Sequence, residues 1–258
     1  MKISLLLSSY NQEKRLFYSL QSAISQKMAE GNSIEIILAD DHSTDGTYKM
    51  IEKYFPDVIV SLNDKSIKNK YTLADNWNQA AKLATGDRLI FSNGDILFAS
   101  GFAEAHADPI FDGHIIFGPY ERSDEKLGPY LEFLPMKIKD QIINERQFSS
   151  HKEIVKLLSE NNWISRDLHH DDSIYTYNQE YSIRHPWGGN FSVMKSHFDA
   201  VGGFDGRQYY GGEEMALVEK IVTKFPSKVL SNKNAYAIHL WHPQYNKHGL
   251  NTRQEYLF

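Results

Sequence analysis

Glu213 and Glu214 stand side by side directly after Gly211-Gly212. Two adjacent carboxylates at a helix start can supply a general base for an attacking hydroxyl. They can equally serve only the helix dipole, and spacing alone does not choose between the two. Upstream lie Pro186-Trp187-Gly188-Gly189-Asn190-Phe191-Ser192-Val193 and Val201-Gly202-Gly203-Phe204-Asp205. Glycine pairs let another molecule approach the main chain closely. Three such pairs, interleaved with aromatics and ending in two acids, read as a site for a polar ligand pressed against backbone and ring faces.

The first half carries a second acidic group. In Asp40-Asp41-His42-Ser43-Thr44-Asp45-Gly46-Thr47, a carboxylate can accept a hydrogen bond from a nucleobase imide or from ribose hydroxyls. Thr44 or Asp45 can cap the following helix, but capping leaves two further acids unexplained, so Asp40 and Asp41 are candidate ligand-binding residues. Asn93-Gly94-Asp95 makes a good turn, and Asp95 is also a natural ligand for a hard divalent cation that holds phosphate oxygens. His239 and His242 flank Trp241. A histidine there completes a mixed oxygen and nitrogen set that suits Mn²⁺ better than Mg²⁺; His239 is the first choice and His242 the second. The remaining histidines read as packed or solvated side chains.

These residues need a frame. Residues 3–7 form a short apolar run that reads as a buried strand. Leu16, Leu20 and Ile24 follow at helical spacing, with Asn11 as expected N-cap. Residues 34–39 read as a strand, Met50, Ile51, Tyr54 and Phe55 as a helix stopped by Pro56, and 58–62 as a strand. Leu73, Trp77, Ala80, Ala81 and Ala84 line another helix, ended by Gly86, before a strand over 88–91. Four strand–helix alternations call for a mostly parallel sheet with helices on both faces. In such sheets ligands bind outside the carboxyl ends of the strands, where Ser8-Ser9-Tyr10-Asn11, the acidic loop and Asn93-Gly94-Asp95 all fall. The second half is less regular: a strand over 114–118, an insertion over about 120–143, a short helix over 151–160 and an acceptor-side loop over 165–185. A helix over 213–225 and a last strand over 235–240 close the pattern. No repeat or linker interrupts it, so a single domain over 1–258 is expected, its nucleotide-binding half at 1–98 and its acceptor and donor-sugar half at 99–258.

Composition narrows the partners. A length of 258 residues can bury a sizeable core, and 41% hydrophobic with 24% charged residues is ordinary for a globular protein. The net charge of -5, without a dense basic cluster, gives no reason to expect nucleic acid. Cysteine is absent, so thiol chemistry is excluded. No apolar stretch approaches ~20 residues, which points to a cytoplasmic protein with at most peripheral membrane association, at the inner face.

In this order the motifs resemble nucleotide-sugar glycosyltransferases of the GT-A fold, specifically family-2-type inverting enzymes of bacterial polysaccharide synthesis. The resemblance runs from Ile3 to His242 and includes Asn76-Trp77-Asn78-Gln79-Ala80-Ala81 with Ala84-Thr85-Gly86-Asp87. The second half looks like galactosyl- and N-acetylgalactosaminyl-transferases, including the chondroitin polymerases. There Gly188-Gly189-Asn190-Phe191-Ser192-Val193, with Trp187 before it, matches the donor and acceptor segment. The resemblance implies an α/β fold with a mixed, mostly parallel sheet flanked by helices. It implies that Ser8, Tyr10 and Asp41 contact a uridine base, with Asp40 and Asn93 beside the nucleotide. Asp95 matches the last Asp of the family's metal motif, and His239 the late metal-binding histidine. Glu214 matches the catalytic acid of the Gly-Gly-Glu-Asp motif, and Glu213 the acid that holds acceptor or donor hydroxyls. It further implies Mn²⁺ or Mg²⁺ as cofactor, a UDP-sugar donor, and a glycan or lipid-linked saccharide acceptor. Two departures stand out: Asn93 replaces the first Asp of the metal motif, and Glu214 replaces the usual Asp. Two rival readings are a sugar nucleotidyltransferase, which would carry a basic Gly-rich loop where this chain has Ser8-Ser9-Tyr10-Asn11-Gln12, and a catalytically weakened nucleotide-sugar-binding relative.

Overall fold

A computed structural model describes residues 1–64, 72–118, 120–122, 189–206, 212–232 and 234–240. The first half alternates as its periodicity predicts: β1 (Lys2–Ser9), α1 (Glu13–Ile24), β2 (Ser33–Asp40), α2 (Thr47–Tyr54), β3 (Ile59–Leu62), α3 (Leu73–Leu83) and β4 (Arg88–Asn93). Then come β5 (Ile96–Phe98), α4 (Phe102–Ala107), β6 (Ile115–Phe117), β7 (Tyr120–Arg122), β8 (Asn190–Met194), α5 (Lys195–Ala200), α6 (Glu213–Lys224), β9 (Val229–Ser231) and β10 (Ala237–His239). The expected insertion thus opens with β7; the rest of it, the 151–160 helix and the 165–185 loop lie outside the described residues.

Seven strands form one sheet in the order β3-β2-β1-β4-β8-β6-β9, and β5-β10-β7 form a second. β1 pairs in parallel with both β2 and β4, so the strand order reverses there and a crevice opens at the carboxyl ends. β8 runs antiparallel to β4, with Asn190 opposite Ser92, so β8 begins where β4 finishes. This brings Gly189 to the same rim as the three polar loops.

β1 is buried on both faces, as a central parallel strand must be. Ile3, Leu5 and Leu7 join Leu16 and Leu20 of α1, Met50 of α2 and Phe102 of α4. Leu6 on the other face joins Trp77 of α3, Phe91, Phe191 and Leu217 of α6. Trp77 is fully buried and stacks on Phe204 at 5.3 Å. Two expected contacts differ. Ile24 is 49% exposed, and Ala23 is the buried apolar residue of the last turn of α1. Asn11 does not cap α1; its side chain reaches across to the acidic loop instead.

The second glycine pair is structural. Gly202 N and Gly203 N bond to Asp199 O and Phe198 O, closing α5 and aiming Phe204 at Trp77. From Ala200 the chain passes Asn78, which bonds Phe204 N and O, and reaches Gly206 beside Asp75. α6 then descends, with Lys220 Nζ donating to Gly203 O and Lys224 Nζ to Ala200 O. Its N-terminus, carrying Glu213 and Glu214, therefore lies toward the rim end of the sheet.

Candidate active site

The carbonyls that end β1 gather the other loops. Ser9 O accepts from Asp41 N at 2.9 Å, and Ser8 O accepts from Gly94 N at 2.8 Å. Gly94 is held so closely that a Cβ would lie 2.6 Å from Gln12 Nε2 and 3.0 Å from Ser8 O. Asn11, with φ of 47°, accepts from Thr44 N and Asp45 N through its Oδ1 at 2.7 and 3.3 Å. Asp45 accepts from Glu13 N and Thr47 N, so one carboxylate serves the starts of α1 and α2. Of the two capping candidates, Thr44 and Asp45, it is Asp45 that bonds backbone N–H groups at both helix starts.

The neighbouring acids divide their work. Asp40 is fully buried, and its oxygens accept from Ser43 N, Ser43 Oγ and Tyr48 OH. That carboxylate shapes the loop from within; burial and the hydrogen bond to Asp40 push the Tyr48 phenol up. Asp41 is only partly buried at the rim. It accepts from Asn63 Nδ2 and Thr72 Oγ1, each at 2.9 Å. Asn63 directly follows β3 and Thr72 directly precedes α3, and polar residues at those two boundaries were the signal that sequence reasoning passed over. Tyr10 is partly exposed on the same rim.

Ser8 Oγ donates to Asn93 Oδ1 at 2.9 Å. Gly189 stands over Asn93 with φ of 97°, and a Cβ there would lie 3.2 Å from Asn93 Nδ2. Ser92 Oγ donates to Gly189 O at 2.6 Å and fixes that approach. Asp95 is 6% exposed, at the step from the large sheet to the small one. Antiparallel pairing sets His239 opposite Ile96, and Leu240 N donates to Asp95 O at 2.8 Å. His239 Nε2 consequently lies 3.6 Å from Asp95 Oδ2, across 144 positions of sequence (239 − 95). Two ligands about 2.1 Å from one ion at right angles stand about 3 Å apart, so a slight closure lets one cation hold both. The donor set, one hard oxygen and one imidazole, fits Mn²⁺. Among the described residues no group of three His, Cys, Asp or Glu forms, and His242 lies outside them.

Gly212 has φ of 84° and starts α6, leaving Glu213 and Glu214 on its first turn. Glu213 is 3% exposed. Glu214 is partly buried, and its carboxyl is pushed up to about 7, chiefly by burial and further by the Glu213 charge. Desolvation outweighs the backbone N–H hydrogen bond that favours the ionised form. A carboxylate poised near neutrality suits proton abstraction.

Asn190 follows Gly189 as the first residue of β8. It is fully buried, with Oδ1 toward His106 and Nδ2 donating to Ala235 O at 2.8 Å, so its side chain joins strands. Of the same segment, Gly189 is at the rim, while Trp187 and Gly188 lie outside the described residues.

A switch-point crevice, loops gathered on β1 and an acid–histidine pair define the class: an α/β enzyme of the GT-A, Rossmann-like fold. The chain belongs to glycosyl transferase family 2, whose model matches residues 4–198. It is 30% identical over 244 residues to an uncharacterized glycosyltransferase, YfnE, of Bacillus subtilis (strain 168), covering 84% of this chain and 59% of that protein. The chain thus spans about three fifths of that relative. Over 95 residues, 36% of this chain and 35% of the other, it is 34% identical to UDP-Glc:alpha-D-GlcNAc-diphosphoundecaprenol beta-1,3-glucosyltransferase WfaP of Escherichia coli. The fold is similar to S. aureus TarS 1-349 in complex with UDP-GlcNAc, with a TM-score of 0.62 at 17% identity over 95% of this chain and 60% of that one. It is also similar to the Pyrobaculum calidifontis mannosyltransferase PcManGT in complex with GDP-Man and Mn²⁺, with a TM-score of 0.57 at 16% identity over 96% and 58%. No helix among the described residues is long and apolar enough to cross a membrane.

Proposed function

We propose that this glycosyltransferase moves a sugar from a UDP-sugar, of Gal/GalNAc or Glc/GlcNAc type, to a hydroxyl of a glycan or lipid-linked saccharide. Transfer inverts the anomeric centre, in the synthesis of a bacterial surface polysaccharide, by a single domain working at the cytoplasmic face of the membrane. The observation that carries the reading is the Asp95–His239 pair at 3.6 Å, at the rim where the three β1-gathered loops end. A Mn²⁺ or Mg²⁺ ion held there supplies charge neutralisation for a departing diphosphate. Asp41 and Tyr10 take the uracil. Gly189, with Trp187 and Gly188, serves the donor sugar and acceptor. Glu214 takes the proton from the acceptor hydroxyl, and Glu213 orients a sugar hydroxyl.

UDP-sugars are favoured by the names of two relatives, which carry UDP-GlcNAc and UDP-Glc, while one fold neighbour binds GDP-Man. The C-terminal likeness to galactosyl- and N-acetylgalactosaminyl-transferases falls partly beyond the family match, which ends at 198. Galacto and gluco epimers are both retained as donor candidates. Calorimetry with UDP and GDP, each with and without Mn²⁺, tests the reading. Mn²⁺-dependent binding of UDP over GDP is expected; tighter GDP binding, or UDP binding indifferent to Mn²⁺ and to Asp95→Ala, contradicts it.

A further inference from the structure

Four buried polar side chains form a file beneath the rim. Arg88 Nη1 donates to His114 O at 2.9 Å and to Ser192 Oγ at 3.3 Å, and its Nη2 donates to Phe111 O at 2.8 Å. Ser192 Oγ lies 2.9 Å from His106 Nδ1, and His106 Nε2 lies 3.3 Å from Asn190 Oδ1. Asn190 Nδ2 then donates to Ala235 O at 2.8 Å. All four side chains are fully buried, so bulk water cannot stand in for a lost partner.

The direction of every proton is fixed. A carbonyl only accepts, so Asn190 must turn its NH₂ to Ala235 and its oxygen to His106. His106 Nε2 must therefore carry the imidazole proton. Nδ1 is left with a lone pair and takes the Ser192 hydroxyl proton, while the Ser192 oxygen accepts from Arg88. Burial, and then the Arg88 charge, hold the imidazole neutral by pushing its pKa down to about 3. Reversing the His106 tautomer or the Asn190 amide would set two buried acceptors against each other.

The file ends on the chain segment that carries His239. Ala235 lies two residues before β10, in which Ala237 pairs with Phe98 and His239 with Ile96, next to Asp95. Gly118 closes the remaining space: a Cβ there would lie 2.0 Å from Ala235 O and 2.6 Å from Asn190 Nδ2. Asn232 Nδ2 ties the same segment to Ala105 O of α4 at 2.8 Å. We infer that His106 and Asn190 are positioning residues that set the spacing of His239 to Asp95, an inference that rests on the proposed cation site.

The test uses the full chain and three variants. In His106→Gln the side-chain amide nitrogen reaches the position of Nε2 and still donates to Asn190. In His106→Asn it stops at the position of Nδ1, and Asn190 loses its donor. Asn190→Asp keeps the shape but sets an oxygen against Ala235 O. Imidazole ¹⁵N–¹H correlation spectra follow His106 and His239, and calorimetry follows Mn²⁺ binding in the presence of UDP. The wild type is expected to show His106 as the neutral Nε2–H form. His106→Asn and Asn190→Asp should displace the His239 signals and weaken Mn²⁺ about tenfold or more, with His106→Gln keeping it within about threefold. Should His106→Asn fail to fold, Asn190→Asp against His106→Gln reads the same contrast. Folded variants with lowered Tm but unmoved His239 signals, or an Nδ1–H form of His106, overturn the inference. Failure of the wild type to bind Mn²⁺ contradicts the cation reading instead, and the His239 signals still decide the positioning role.

Discussion

Replacing Glu214 by Gln should move activity and stability in opposite directions. The carboxyl rises from 4.5 to about 7, mainly because the folded protein buries it. Its proton is thus held more tightly folded than unfolded. Stability associated with that proton is present below pH 4.5 and is lost as pH climbs through about 7. At 1.36 kcal/mol per pH unit, the anion is disfavoured by about 3 kcal/mol at pH 8. Gln keeps the shape without the charge, so the variant should resist urea better than wild type at pH 8, by up to about that amount, and equal it near pH 4. Activity should fall, because a general base contributes about 10²–10⁴-fold. Wild-type kcat should rise with pH to a plateau with its midpoint near 7, while the residual rate of the variant stays flat. UDP affinity should barely change. Glu213→Gln should act on the KM of acceptor or donor instead. Stopped assays across pH 5–9, paired with urea melts, read all of this. A Glu214→Gln enzyme with near wild-type kcat and an unchanged pH profile refutes the assignment, and if Glu213→Gln is then the inactive one, the two roles are exchanged.

Asp95→Ala removes the oxygen that faces His239 and should cost orders of magnitude in Mn²⁺-dependent transfer. Asn93→Asp, which can still accept from Ser8 Oγ, should keep or raise Mn²⁺ affinity; calorimetry measures both. Asp41→Ala should weaken UDP about tenfold or more, since a hydrogen bond to a charged group is worth about 1.5–3 kcal/mol, and unchanged UDP affinity contradicts the uracil assignment. Trp77→Ala opens a cavity among Phe91, Phe191 and Phe204 and should cost about 3–5 kcal/mol in urea unfolding. Gly94→Ala should depress nucleotide binding even where the protein folds, because its Cβ meets the Ser8 carbonyl.

The parallel half of the sheet was legible because its strands are long apolar runs and its helices keep one face. Leu16, Leu20, Trp77 and Ala80 are all buried as their spacing demands. Of the small sheet only β10 was legible, inside the expected last strand; β5 and β7 have three residues each, too few to show a period. The expected last strand over 235–240 shrinks to Ala237–His239 for the same reason. Asp95 and His239 were identifiable singly by residue type, but only the β5–β10 pairing sets them together. Asp40 and Asn190 turn inward to satisfy buried polar groups, a role that residue type alone does not reveal. Arg88 and His106 went unremarked because charged or titratable residues are rarely fully buried, and only the strand packing reveals the carbonyls that make burial possible.

Incubation of the full chain with radiolabelled UDP-Gal, UDP-GalNAc, UDP-Glc, UDP-GlcNAc and GDP-Man, with Mn²⁺ and then with excess EDTA, tests the central claim most directly. Slow release of free sugar from one of the UDP-sugars, abolished by EDTA and by Asp95→Ala, is the result expected. Undiminished turnover in EDTA, or cleavage of GDP-Man alone, would contradict the account.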